Sequence, residues 1–209
     1  SSRFYNIGDR GIDTLLYLLV LTLKINHLYF IHESVYCNPT KIQNIDTIGG
    51  NLLISSNAEM TSINFPKLEL INVNFLKIDG NANLTTLNFP ELLRVGNGPV
   101  RPTLGFESED KSFFIRNNPK LQTLGGFNKL ISVGNNFGIN ANAELKNLSG
   151  FQSLKRVGRN ITISSNNVLD EISGFNELIS LGVTLGISSN ASLKEVTGFD
   201  VLDYAWGIT

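Results

Sequence analysis

The stretch VGRNITISSNNVLDEISGFNELISLG, residues 157–182, decides the fold, because the segment before it, VGNNFGINANAELKNLSGFQSLKRVG at 133–158, reads the same way 24 positions earlier. Both carry isoleucine, asparagine, leucine and a further aliphatic at steps of three, then Gly-Phe, a leucine and an aliphatic-glycine pair. A fixed period of this kind marks a repeat architecture and is read before any individual element.

Working outward, the isoleucine half recurs six times: Ile54-Asn57-Met60-Ile63, Ile78-Asn81-Leu84-Leu87, Ile115-Asn118-Leu121-Leu124, Ile139-Asn142-Leu145-Leu148, Ile163-Asn166-Leu169-Ile172 and Ile187-Asn190-Leu193-Val196. The other half places Phe65, Phe89, Phe127, Phe151, Phe175 and Phe199 three residues before a leucine. A weaker seventh copy begins at Ile42, Ile45 and Ile48. Steps of three could suggest a helix, but Gly, Asn and Ser at fixed places would break one every few residues. Short strands separated by turns fit instead. The fold class read from the sequence is therefore all-β, a parallel β-helix or solenoid of about six to seven 24-residue coils.

Coils stacked at the strand spacing of about 4.8 Å turn every repeated position into a ladder. The phenylalanines form the widest ladder of the core. Asn57, Asn81, Asn118, Asn142, Asn166 and Asn190 form its one polar ladder, and their place among apolar positions turns them inward at a corner. We expect the left-handed backbone of that corner at these asparagines, which tolerate it, with their amides bonded to neighbouring coils. The first two coils lack the glycine that precedes later phenylalanines, having Asn64 and Asn88 there, so their corner should differ.

The cadence x-Gly-Asn-h-x-Ile-x-x-Asn-x-x-Leu-x-x-Leu-x-Gly-Phe-x-x-Leu-x-x-Val-Gly, with h hydrophobic, resembles the receptor L-domain family. In particular it is similar to the cysteine-poor versions in surface proteins of bacteria and fungal cell walls. The resemblance covers roughly residues 42–204 and rests on core positions, which speak to fold more than to function. It implies a right-handed β-helix related to leucine-rich repeats, located at the cell surface or outside the cell; right-handed parallel crossovers are also the general rule. The disulfides of animal receptor L domains are missing, which weakens any hormone-receptor reading. Bacterial surface leucine-rich repeats of the adhesin type have a similar period and point to the same broad role.

Residues 1–41 are expected to cap the solenoid. Ile12, Leu15, Leu16, Leu19 and Leu23 share one helical face over 10–25, while Val20 and Leu21 keep a strand alternative open. The apolar run Leu15–Leu23 is far shorter than the roughly 20 residues that cross a bilayer. Residues 205–209 read as the start of a further coil, and an uncapped C-terminal coil would offer an end-to-end contact. One irregularity interrupts the repeat: Val95 to Ile115 takes 20 positions where Val157 to Ile163 takes 6. The extra chain, NGPVRPTLGFESEDKS at 97–112, is a loop excursion from a rigid scaffold, where binding function concentrates. Its Arg101, Glu107, Glu109, Asp110 and Lys111, with Phe114 and Arg116 on the strand it feeds, are the candidate binding residues.

Composition narrows the function classes. A net charge of −1 with 17% charged residues provides no basic field for nucleic acid or anionic membrane. A single cysteine, Cys37, allows no intrachain disulfide or cysteine zinc cluster. His27, His32 and Cys37 are spaced by five, which suits neither one strand face nor one helix face, so no metal or cofactor is implied. Asp170 and Glu171, neighbours on one strand, make a poor acid/base pair; opposite charges there look like cross-strand stabilisation. Four sequons begin at Asn83, Asn147, Asn160 and Asn190; the first three are candidate glycosylation sites, and Asn190 belongs to the inward ladder. The sequence thus reads as a non-catalytic surface or secreted module for adhesion or wall scaffolding, with a protein, matrix or cell-wall ligand. The alternative is a carbohydrate-active β-helix using the carboxylates of loop 97–112.

Overall fold

The computed structural model describes residues 4–6, 24–25, 27–31, 43–96, 111–124, 126–203 and 207–208. They form a parallel β-solenoid of six full repeats built on three walls of short strands. Every repeat adds a strand to the long wall, the third meets the third wall only through an isolated bridge at Thr123, and the sixth adds no strand to the second wall among the described residues. The long wall is a nine-stranded parallel sheet running from Phe4–Asn6 and His27–Ile31 through Leu52–Ser55, Leu76–Asp79, Phe113–Arg116, Phe137–Asn140, Ile161–Ser164 and Thr184–Ser188 to Gly207–Ile208. The second is seven-stranded, from Lys24–Ile25 to Ser180–Leu181. Equivalent residues pair directly, as in Ile115 with Ile78 and Ile139.

The fold class read from the sequence therefore holds, and two end segments add to it. Leu28 and Phe30, within the expected cap 1–41, take the register of Leu52 and Ile54, so the long wall continues into that segment. Of the helix expected over 10–25, only Lys24–Ile25 falls among the described residues, and it is strand. At the other end Gly207–Ile208 pairs with Thr184–Leu185 in the next rung.

Along the long wall side chains alternate inward and outward, as strand geometry requires. Leu52 and Ile54 are buried, while Leu53 and Ser55 are half-exposed. The core is a continuous apolar column. Phe65, Phe89, Phe127, Phe151, Phe175 and Phe199 stack with centroids 5.0–5.7 Å apart and tilts of 11–18°. Phe113 and Phe137 form a second, shorter stack at 4.9 Å and meet the first edge-on. Both geometries suit the ring quadrupole and contribute about 0.5–1.5 kcal/mol per pair beyond burial.

The asparagine ladder is inward and fully bonded. Asn57, Asn81, Asn118, Asn142 and Asn166 are at most 1% exposed. From Asn81 onward each Oδ1 accepts the backbone N–H of the preceding coil's asparagine, that of Asn118 going to Asn142 at 3.2 Å and that of Asn142 to Asn166 at 3.0 Å. From Asn81 onward each Nδ2 donates to an isoleucine carbonyl one coil back, as Asn142 does to Ile115 at 3.0 Å, whereas Asn57 Nδ2 donates to the Ser55 carbonyl and to Asn81 Oδ1. The left-handed corner, however, is one residue earlier than the sequence reading put it: Ser56, Asn117, Ala141, Ser165 and Ser189 have φ between 54° and 58°, and Gly80 has 70°. The asparagine must turn its amide into the core, so the exposed or half-buried neighbour takes the strained backbone.

The third wall changes construction midway, as the missing glycines lead one to expect. In the first two coils Asn64 and Asn88 are themselves paired in the three-residue strands Ser62–Asn64 and Thr86–Asn88. The last three coils instead carry the two-residue strands Asn147–Leu148, Glu171–Ile172 and Glu195–Val196, followed by the glycine corner.

Adjacent substitutions at this corner should act in opposite directions. Replacing Asn142 by Ala strands buried backbone groups and should cost about 1–3 kcal/mol. Ala141→Gly relieves left-handed strain of about 1–2 kcal/mol against about 0.5–1 kcal/mol of added chain entropy, so a gain of about 0.5–1 kcal/mol is expected. Urea unfolding of the two variants checks both signs, and a destabilised Ala141→Gly protein would refute the assignment of strain.

Candidate binding face and inserted loop

The inserted loop leaves and rejoins the wall at a single point. A Cβ placed on Gly96, whose φ is +72°, would stand 2.4 Å from the Lys111 Cβ, so only glycine permits that approach. Across the junction the rungs remain intact: Gly134 N–H donates to the Val95 carbonyl at 2.9 Å, and Asn135 N–H to the Lys111 carbonyl at 2.9 Å. Lys111 thus stands at the root of the loop. Arg101, Glu107, Glu109 and Asp110 lie outside the described residues.

Two residues past the buried Ser112, Phe114 and Arg116 project outward from the long wall, in register with Lys77 and Asp79 on one side and Gly138 and Asn140 on the other. A Cβ on Gly138 would fall 2.6 Å from Cδ1 of Phe114, so the ring occupies the space that the glycine leaves. The Arg116 guanidinium carbon is 5.5 Å from the ring centroid. Its Nε lies 2.8 Å from Asp79 Oδ2, and Asn117 Nδ2 donates to Asp79 Oδ1 at 2.9 Å. Lys77 Nζ adds a longer contact of 3.9 Å to the same carboxylate. Such half-exposed pairs contribute about 0–1 kcal/mol to stability. Their effect is positional: the arginine is held against the ring at the foot of the loop. Toward the C-terminal coils the outward residues in the same register become small, Asn140, Thr162, Ser164, Gly186 and Ser188.

Of the seven candidate binding residues, Phe114 and Arg116 are therefore brought together, and Lys111 stands at the root of the loop two positions before their strand. Sequence reasoning missed what supports them, namely Gly138 beneath the ring and Asp79 beside the arginine; the pairing of coils in register was the available signal. On the third wall, the opposite-charge expectation holds in one column and fails in the next. Asp170 lies between Lys146 and Lys194 in the stack, but Glu171 pairs in register with Glu195, a like charge.

A second polar ladder also escaped the sequence reading. At the entry to the long wall, Ser112 Oγ accepts Asn136 N–H at 3.3 Å, Asn136 Oδ1 accepts Asn160 N–H at 3.3 Å, and Asn160 Oδ1 accepts Thr184 N–H at 3.2 Å. This bears on the sequons. The Asn160 Nδ2 donates to Asn136 at 3.1 Å, Asn83 Nδ2 to the Ala58 carbonyl at 2.7 Å, and Asn190 Nδ2 to the Ile163 carbonyl at 2.9 Å. Asn147 is exposed, and its Nδ2 has no partner among the described residues.

Among the described residues no cluster of His, Cys, Asp and Glu could hold a metal, and no helix is long and apolar enough to cross a membrane. His27 begins a strand of the long wall, while His32 and Cys37 lie outside the described residues. No protein-family description, curated protein or solved structure matches the chain.

In a host with an N-glycosylation pathway, peptide mapping of folded, secreted protein should find Asn147 occupied and Asn160 and Asn190 bare. Substantial glycan at Asn190 would contradict the inward ladder, since its Nδ2 would have to leave the coil.

Proposed function

We propose that the chain is a non-catalytic binding module of a cell surface or of secreted material, as its resemblance to receptor L domains implies. It engages a protein, matrix or cell-wall ligand through the long wall and the inserted loop. The observation that carries this reading is the Phe114–Arg116 platform, propped by Gly138 and Asp79 at the foot of the one long excursion from the repeat. Aromatic and arginine side chains presented on a rigid support are the residue types that dominate binding energy at interfaces. A loop rooted at one point of a stacked scaffold adds contact area without disturbing the coils. The carbohydrate-active alternative would use carboxylates of loop 97–112 beside one on an adjoining coil. Asp79 is the carboxylate on the adjoining coil's outward face, and it is engaged by Arg116, Lys77 and Asn117, so it gives that alternative no support.

Three proteins test the reading on isolated cell walls and extracellular matrix: the unaltered chain, a Phe114→Ala/Arg116→Ala double variant, and a deletion of residues 99–110. All three should unfold cooperatively, because shortening a closed loop changes its entropy by only about 0.6 kcal/mol per halving. Retention of the unaltered chain should fall at least about tenfold in both variants, the scale of losing one interface anchor. Equal retention of all three, or release of sugar from the wall by the unaltered chain, would contradict the proposal.

A further inference from the structure

The switch in corner construction opens a cleft on the third wall. Thr86 and Thr123 are joined by a single isolated bridge, and no strand pairing continues from Thr123–Leu124 to Asn147–Leu148. The Lys146 N–H reaches the Gln122 carbonyl at only 3.5 Å, whereas Asp170 N–H meets the Lys146 carbonyl at 2.9 Å one coil later. Below it, Ser173 N–H bonds to the Leu148 carbonyl at 2.9 Å and Thr197 N–H to Ile172 at 2.7 Å, but Ser149 N–H makes no matching bond to Leu124 among the described residues. Gly150 is pressed against that carbonyl instead; a Cβ there would lie 2.3 Å from the Leu124 oxygen.

The resulting cleft has a volume of about 290 Å³, and its floor is the buried pair Leu124 and Gly150. Its rim is Thr123, Asn128, Asn147, Ser149 and Gln152, all exposed. The side chains of Thr123, Asn128 and Gln152 make no hydrogen bond among the described residues, and Ser149 Oγ reaches Asn147 Oδ1 only at 3.5 Å.

We propose that this cleft is a binding site for a neutral, hydroxyl-rich ligand, a saccharide of about one or two rings. The volume is at the small end of ligand sites, which run from about 300 to 1,000 Å³. None of the lining residues is charged, so an ionic ligand would lose hydration without meeting a counter-charge. An apolar ligand would cover the three amides and two hydroxyls without partnering them, which costs more than leaving them in water. Vicinal hydroxyls suit them: each is donor and acceptor, and an amide offers a C=O beside an NH₂. The small apolar floor takes the C–H face of a ring. The cleft is on a different wall from Phe114, so this inference does not rest on the platform.

A glycan on Asn147 would fill the cleft, so the experiment uses the full chain, isotope-labelled, from a host that does not glycosylate. Cellotetraose, laminaritetraose, maltotetraose and chitotetraose are titrated separately, with an oligoglucuronate as the anionic control. The expected result is saturable movement of the Asn128, Asn147 and Gln152 side-chain NH₂ signals with at least one neutral probe. Asn128→Ala and Gln152→Ala should each weaken that binding roughly five- to tenfold, the effect of losing one hydrogen-bonding group. The Phe114→Ala/Arg116→Ala protein should bind as the unaltered chain does. Because Asn128 and Gln152 are exposed, unchanged melting of their variants is also expected, and Thr123→Val serves as a third variant. The proposal is overturned if no neutral probe moves these signals, if the shifts map to the Phe114 wall, if the cleft variants bind normally, or if the oligoglucuronate binds equally well.

Discussion

Everything in this solenoid depends on how one sharp corner per coil is satisfied. A chain that turns into its own core brings peptide groups with it, and buried peptide groups without partners are costly. Here one asparagine per coil supplies the partners. Its Oδ1 takes the N–H of the asparagine in the coil before, and its Nδ2 takes the carbonyl of that coil's isoleucine, as Asn166 does with Asn142 and Ile139. Each amide thereby ties neighbouring coils together, and the corner cannot be completed by a coil alone. The strain of the turn falls on the residue before it, where Ser, Ala and Asn adopt a left-handed backbone held by the bonds on either side.

That division of labour explains where the structure tolerates irregularity. The corner at the asparagine is invariant along the rod, whereas the entry to the long wall and the approach to phenylalanine both vary. The longer coil, in which Asn118 follows Asn81 by 37 residues where Asn142 follows Asn118 by 24, leaves Asn118 bonded to both in register. The corner before phenylalanine switches from asparagine to glycine between the second and third coils, and the third wall loosens there. Both features suited to binding a ligand stand where the repeat is broken: the platform at the root of the loop, and the cleft at the switch. In a fold whose repeated positions are consumed by stacking, distinct surface chemistry is left to the exceptions.

Much of this was legible in the sequence because stacking turns periodicity into structure directly. Phenylalanine and asparagine recurring every 24 residues foretold two buried ladders, and the missing glycines at Asn64 and Asn88 foretold the altered corner. What escaped has a common cause: it depends on comparison between coils at positions where residue type varies. Ser56, Gly80, Asn117, Ala141, Ser165 and Ser189 share a left-handed backbone but no chemical character. The second polar ladder passes through Ser112, Asn136, Asn160 and Thr184, and Phe113 and Phe137 stand where other coils have leucine or isoleucine. The cross-coil alternation of charge holds in the column Lys146, Asp170 and Lys194, while exact register sets Glu171 against Glu195 in the next. The support of Phe114 by Gly138 is likewise a relation between coils. At the N-terminus, Leu28 and Phe30 match Leu52 and Ile54 over too few residues for the sequence alone to mark them as a further rung.

Amide hydrogen exchange resolved to single residues tests the central claim directly. The backbone N–H groups of Asn57, Asn81, Asn118, Asn142 and Asn166 each sit at a chain corner, where exchange through local opening would ordinarily be fast. If the ladder ties the coils together, these amides exchange only through opening of the solenoid, with protection matching that of Ile78, Ile115 and Ile139 in the long wall. Rapid exchange at the asparagines while those isoleucines remain protected would contradict the account, showing the coils to be held by the sheets alone.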